Sequence, residues 1–351
     1  MKSTKVLITG AAGFLGLHLA KLFSKNNFQI YLIDIASYEK KEYPENCHFF
    51  NCDVRNVKLI NTLFGQIKPD YVIHAAAALP LWASSDIFTT NVEGTKNIVE
   101  ASIKNKVKRT IFISSTAVYG VPKKHPIYEN DPRVGVGSYG QSKIDAENIC
   151  FQLINKGANI TVLRPKTFLG THRLGVFEIL FDWIHDGKKI PVIGTGNNHY
   201  QLLDVDDLVY ACCLFIKKDN KKYNDVFNIG ALEFNTIKGD FEIFFKAIGS
   251  TSGIFKTPAF LVKKALWLFE KLKLSPLYKW VYDTADKDSF VSIDKLINTL
   301  NWKPKYSNSD ALIKAYRWYL KNYKDIKLRG SGVTHTVGWK QGILGLIKKF
   351  M

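Results

Sequence analysis

Five short apolar runs, separated by stretches with helical periodicity, limit this chain to one class of architecture. VLIT (6–9), IYLID (30–34), YVIHAAA (71–77), TIFISS (110–115) and ITVLRP (160–165) are nearly continuous in apolar residues. Strands covered on both faces of a parallel sheet read this way, because neither face meets water. Between the runs, residues 14–25, 56–66, 92–105 and 139–155 carry helical patterns. Strand and helix in alternation predict an α/β fold with a doubly wound parallel sheet. Right-handed crossovers restrict its topology further. With 351 residues, 46% of them hydrophobic, the chain can bury a large core and a second lobe.

After Pro165 the rhythm changes. FEILFDWI (177–184) reads as a helix. GTGNNHYQLLDVDDLVYACCLFI (194–216) reads as a loop, a short strand and a helix entered through Asp204 to Asp207. VFNIG (226–230) reads as a further strand, and 233–325 as mostly helical and lysine-rich. The expected division is a sheet domain over 1–167 plus about 201–232. A smaller, mostly helical lobe covers 168–200 plus 233–328, and a flexible linker with a basic amphipathic tail covers 329–351.

The stretch TGAAGFLG (9–16) joins the first strand to the first helix. Gly10 permits a tight turn, Gly13 lets a pyrophosphate approach the backbone, and Gly16 lets the helix pack on the strand. Phe14 and Leu15 open a helix whose free N–H groups and positive dipole end face the phosphates. The second strand ends at Asp34, where a carboxylate meets the adenosine ribose and repels a 2′-phosphate. Residues 35–38 (Ile-Ala-Ser-Tyr) offer no basic group. The predicted cofactor is therefore NAD rather than NADP.

Seven motifs in order now carry a resemblance: GAAGFLG (10–16), CDVR (52–55), HAAA (74–77), NVEGT (91–95), SSTAVYG (114–120), YGQSK (139–143) and RP (164–165). Over about residues 5 to 325 the chain resembles the extended short-chain dehydrogenases/reductases of the NAD-dependent epimerase/dehydratase group. The resemblance implies a Rossmann-type sheet domain with a C-terminal substrate lobe. It implies cofactor contacts from Gly10, Gly13, Phe14, Leu15, Gly16, Asp34, Asp53, Val54, Ala75, Ala76, Asn91, Ser114, Tyr139, Lys143 and Pro165. Asp53 would meet the adenine amino group. Asn91 would hold backbone or cofactor, or else cap the following helix.

The same resemblance makes Ser115, Tyr139 and Lys143 the catalytic set. Tyr139 and Lys143 are four apart and share a helix face. An ammonium beside a phenol favours phenolate, which a base working near neutral pH needs. Ser115 would bind the substrate oxygen, with Thr116 its neighbouring alternative. His74 reads as structural and Cys212-Cys213 as core packing. Thr116, Thr167, Arg173 and His199 are the substrate-side candidates. Two of these depart from the nucleotide-sugar branch: Thr167 stands for its usual asparagine, and His199 begins a His-Tyr-Gln where Arg-Asp-Phe is usual.

The implied activity is hydride transfer on a sugar nucleotide, as a 4-epimerase passing through a keto intermediate or as a C4 oxidoreductase. Dehydration is disfavoured, since Thr116 and Ala117 replace the dehydratases' Asp-Glu pair. A rival reading is a 3β-hydroxysteroid or other lipid alcohol dehydrogenase, suggested by the apolar, lysine-rich segment 254–282. A third is a non-catalytic NAD-sensing protein.

The net charge of +18 favours anionic partners. No nucleic-acid motif and no metal-ligand spacing accompanies it. Peripheral membrane contact through 254–282 or through 339–350 is expected from their lysines and apolar residues, with docking of the tail on a partner subunit or on its own lobe as the alternatives. A homodimer through helices 92–105 and 139–155 is expected on the family pattern. Five cysteines without a CxxC pair, and no secretory h-region, predict a cytoplasmic protein.

Overall fold

The computed structural model describes residues 4–80, 82–272, 279–328 and 341–350. The first half runs β1 (Lys5–Thr9), α1 (Phe14–Lys25), β2 (Gln29–Asp34), β3 (Cys47–Asn51), α2 (Val57–Ile67) and β4 (Tyr71–His74). It continues with α3 (Ser84–Phe88), α4 (Gly94–Lys104), β5 (Arg109–Ile113), α5 (Gly137–Asn155) and β6 (Ile160–Pro165). The second half runs β7 (Phe168–Leu169), α6 (Val176–His185), β8 (Ile190–Ile193), β9 (Leu203–Asp204), α7 (Val205–Lys217) and β10 (Val226–Ile229). Then follow α8 (Ile237–Ile248), β11 (Ile254–Thr257), α9 (Ala259–Lys271), α10 (Lys279–Thr284), α11 (Asp294–Leu300) and α12 (Asn308–Lys321).

Seven strands form one parallel sheet in the order β10-β6-β5-β4-β1-β2-β3. The chain first winds outward through β2 and β3, then crosses over and winds the other way through β4. The crevice between the carboxyl ends of β1 and β4 is the switch point where such sheets bind ligands. The five apolar runs all lie in this sheet. β5 and β6 are buried at every position, which explains why neither alternates.

Two kinds of element differ from expectation. The strands β3, β8 and β11 were not among those expected, although β8 (IPVI) is apolar throughout. β3 (CHFFN) is a sheet edge with no fully buried residue, and β8 and β11 form only a two-stranded parallel pair. The helix expected over 92–105 begins earlier, as α3 and then a π-turn at Thr89–Glu93 leading into α4.

The main core joins β1, α1, α7 and β10, and holds Cys212 and Cys213. A second core lies under the later helices, where Phe181 and Trp183 of α6 meet Phe244 of α8 and Tyr316 and Tyr319 of α12. Asp204 caps α7 by accepting from the Asp206 N–H at 2.8 Å, and Asp207 accepts from the N–H groups of Lys305 and Tyr306, each at 3.0 Å. The helix entry therefore braces the chain leading into α12.

The linker GSGVTHTVG (330–338), Trp339 and Lys340 lie outside the described residues, as do 273–278 of the apolar basic segment. The described tail docks on its own lobe. Lys348 reaches Asp182 (2.5 Å) and Asp186 (2.6 Å), Gln341 donates to Asp182 (2.8 Å), and Leu344 joins the second core. No helix among the described residues is long and apolar enough to cross a membrane.

Candidate active site

A cleft of about 690 Å³ opens along the carboxyl edge of the sheet. At one end, the turn after β1 carries Gly10, Gly13, Phe14 and Leu15. Gly10 has φ +69°, and a Cβ there would lie 2.6 Å from the Ala76 nitrogen and 2.7 Å from the Ala75 carbonyl. Only glycine permits both that conformation and that approach. Gly16 does not line the cleft. It faces Ala11, whose Cα would be 2.5 Å from an added Cβ, so it seats α1 on the turn as expected of a third glycine. Gly13 caps α1 without a side-chain bond, so the first N–H groups of this 12-residue helix remain open to an anion.

Asp34 closes this end. Its carboxylate accepts from the Ala12 N–H and the Ala36 N–H, both at 2.9 Å, so the glycine turn itself fixes the acid. Asp53 and Val54 line the wall beyond it. Asp53 is gripped by Arg55 at 2.7–3.1 Å, and the side-chain hydrogen bonds from Arg55 hold its carboxyl below the usual range. Ala75 and Ala76 complete the floor. Asn91 is buried beneath the floor and does not line it. It accepts from the Ala78 N–H (2.8 Å) and donates to the Ala78 carbonyl and to Ser142 Oγ. It therefore holds backbone from inside the π-turn and is no helix cap. His74 is likewise structural: it bridges Thr9 and Thr95, and burial drives its pKa down to about 3.

The central wall is made by Ser114, Ser115, Thr116, Tyr139, Lys143 and Pro165. Tyr139, Lys143 and Glu147 recur every four residues on the face of α5 turned toward the sheet. Lys143 is 2% exposed and Glu147 fully buried. Tyr139 hydrogen-bonds the Ser115 hydroxyl, and Ser115 Oγ also accepts from the Ala117 N–H. Ser114 and Thr116 are otherwise engaged. The Ser114 hydroxyl donates to Glu147 (2.6 Å) and that of Thr116 to the Pro165 carbonyl (3.3 Å).

One electrostatic expectation fails here. Burial pushes the Tyr139 phenol up to about 12, and what opposes it is the Ser115 hydrogen bond and the Arg173 charge. Lys143 does not supply the expected help. Its Nζ lies 5.9 Å from the Tyr139 ring centre and donates to the Ile113 carbonyl at 3.0 Å. Burial lowers the lysine itself to about 8. In the protein alone, desolvation outweighs the neighbouring cation.

Thr167, Phe168, Arg173 and a residue the sequence reading passed over, Lys166, also line the cleft. Thr167 Oγ1 lies 3.5 Å from the Tyr200 hydroxyl. The Arg173 guanidinium sits 5.3 Å above the Phe14 ring and 5.8 Å from that of Phe168. His199 is not in the cleft. It is held at the surface by Asp288, whose carboxylate accepts from its backbone N–H at 2.7 Å, and its ring packs on Phe290. Glu147 was also missed. It receives Arg164 in a two-point bond (2.8 and 2.7 Å) and Arg133 at 3.0 Å. Its position four residues after Lys143 was the available signal.

The residues present fit NAD: a glycine turn only glycine can make, uncapped helix N–H groups, and a carboxylate at the adenosine end. The model of the NAD dependent epimerase/dehydratase family matches residues 6–230. The chain is 32% identical over 343 residues to the uncharacterised protein y4nG of Sinorhizobium fredii, covering 97% of this chain and 85% of that one. It is 27% identical over 353 residues to UDP-glucose 4-epimerase of Lactobacillus helveticus, covering 92% and 99%. Among solved structures, UDP-glucose 4-epimerase of Thermotoga maritima superposes with a TM-score of 0.77 at 24% identity, over 91% of this chain and all of that one. Sheet, cleft and sequence agree: the chain belongs to the NAD dependent epimerase/dehydratase family and is an NAD-dependent enzyme of that family.

Proposed function

We propose that this enzyme is a 4-epimerase of UDP-sugars. The observation that carries the reading is the convergence of Ser115, Tyr139 and Lys143 at mid-cleft, between a dinucleotide cradle and a second, polar end. The glycine turn, the first N–H groups of α1 and Asp34 would hold NAD, which would supply hydride acceptance and return at the sugar C4. Tyr139 accepts the C4 hydroxyl proton and later gives it back. Ser115 holds the same oxygen by hydrogen bonding. Lys143 carries positive charge on the α5 face below Tyr139 and binds the nicotinamide ribose. For epimerisation the ketone must stay enclosed and turn over before the hydride returns. Names such as UDP-glucose 4-epimerase among the relatives support this choice over a free dehydrogenase. The test is product analysis with UDP-hexoses and UDP-uronic acids. The C4 epimer should form without net NADH, and Tyr139→Phe should abolish it. NADH and free ketone in equal amounts would instead mean a simple oxidoreductase.

On this reading, residues 1–167 with about 201–232 hold the cofactor, and 168–200 with 233–328 hold the sugar. We also propose a homodimer, since α4 and α5 pack side by side and leave Ile103 46% exposed. Sedimentation at micromolar concentration tests it, and a monomer would remove the proposal. The enzyme is proposed to be cytoplasmic, with five free cysteines. Its membrane contact is assigned to α9, which exposes Phe260, Leu261, Trp267, Leu268 and the lysines 264 and 271. Flotation with anionic vesicles should be lost on Leu268→Glu, and equal flotation of that variant would exclude the contact.

A further inference from the structure

Lys166 is a buried lysine that lines the cleft beside Thr167 and, among the described residues, has no carboxylate partner. Its side chain is 2% exposed. Its Nζ donates to Ser289 Oγ at 2.7 Å and lies 5.0 Å from the centre of the Tyr200 ring. Among the described residues no carboxylate pairs with it. Burial alone drives its pKa down to about 7. An unpaired buried ammonium costs several kcal/mol, so a fold does not gain by carrying one. A hydroxyl and an aromatic face offset only part of that cost. Nearby, His125 Nε2 is buried without a hydrogen-bond partner among the described residues, and burial, with a smaller push from Lys166, lowers the pKa of that ring against the pull of Asp288.

The placement says what could complete the site. Lys166 follows Pro165, whose carbonyl accepts from Thr116, the neighbour of Ser115. Its own N–H is tied to the Ile229 carbonyl at 2.9 Å. The residue is thus anchored beside the reaction centre, in the cleft it lines together with Ser115, Tyr139 and Thr167. A ligand reacting at Ser115 and Tyr139 shares that cleft with it.

We propose that Lys166 reads a carboxylate carried by the sugar, so that the preferred substrate is a nucleotide-linked uronic acid. This rests on the epimerase reading only for what happens after binding. The carboxylate would accept from the ammonium, with Ser289 keeping the lysine in place. A charge-assisted bond in a dry site favours the acid over its neutral analogue by roughly tenfold or more.

The test uses full-length, NAD-loaded protein and three ligands: UDP, UDP-glucose and UDP-glucuronate. Affinities are measured by calorimetry, and C4 products by chromatography. The expected result is that UDP-glucuronate binds about tenfold or more tighter than UDP-glucose. In Lys166→Met that ratio falls to about one, and Lys166→Arg retains a preference for the acid. Lys166→Met removes a buried charge at similar volume, so folding should survive, and retained NAD binding checks it. A wild-type enzyme that does not prefer the acid overturns the proposal. So does an equal loss of affinity for all three ligands, which would place the lysine on the diphosphate. Lys166-dependent binding of the acid with no C4 epimer formed would support this inference and reject the epimerase reading instead.

Discussion

The two ends of the cleft are built from different materials. The adenosine end is backbone: a glycine turn, uncapped helix N–H groups, and an acid pinned by Ala12 and Ala36. The substrate end is side chains brought from far apart, with Lys166 meeting Ser289 and Thr167 meeting Tyr200. Backbone can bind phosphates only by folding one way, so changes there disturb fold and binding together. A wall of side chains can be altered one residue at a time, which lets selectivity vary without disturbing the sheet.

The largest effects should fall where the ends meet. Tyr139→Phe should lower kcat/KM about 10³-fold or more while NAD affinity stays within about twofold. Equal loss of both would mean that Tyr139 builds the site rather than acting in it. Glu147→Ala leaves Arg164 without its carboxylate partner. It should cost about 3–5 kcal/mol in denaturant unfolding, and a loss below about 1 kcal/mol would remove Glu147 from the support of the central wall.

At the backbone end, Gly10→Ala should cost about 2 kcal/mol and weaken NAD binding at the same time, because φ and the Ala76 approach are both forbidden to it. A stable variant that merely binds NAD poorly would show that fold and binding are separable at this end too. At the side-chain end, Thr167→Val should change stability by less than about 0.5 kcal/mol, with any effect confined to substrate KM.

The docked tail offers a pH signature. Burial works against ionising Asp182, but bonds from Lys327, Lys348 and Gln341 prevail and hold its carboxyl down at about 2. A folded-state pKa below the unfolded value of 3.8 contributes stability that is complete above about pH 4. It is lost as pH falls through about 2. The difference in stability between wild type and Lys348→Ala should therefore shrink between pH 5 and pH 2. A constant difference would exclude the ion pair as its source.

Legibility followed the same divide. The seven motifs and the five apolar runs exposed the cofactor half, since phosphate binding and two-sided burial leave few sequence choices. β3 escaped because an edge strand with a wet face needs no apolar run. Asn91 was legible as a backbone holder, but the π-turn around it was not, because a one-residue insertion leaves helical periodicity nearly intact. Lys166 was invisible because its meaning depends on Ser289, 123 residues away. The Tyr139 phenol was misjudged for a related reason: i, i+4 spacing fixes a shared face, while desolvation depends on everything packed around it.

If hydride leaves the sugar C4 and returns to the same carbon within one binding event, a label on that hydrogen survives turnover. The direct measurement uses a UDP-sugar deuterated at C4 and follows the product by NMR and mass spectrometry. The expected result is a C4 epimer that keeps its deuterium at C4 through many turnovers, with no NADH accumulating. Loss of the label to solvent, or its appearance in released NADH beside a free ketone, would contradict it.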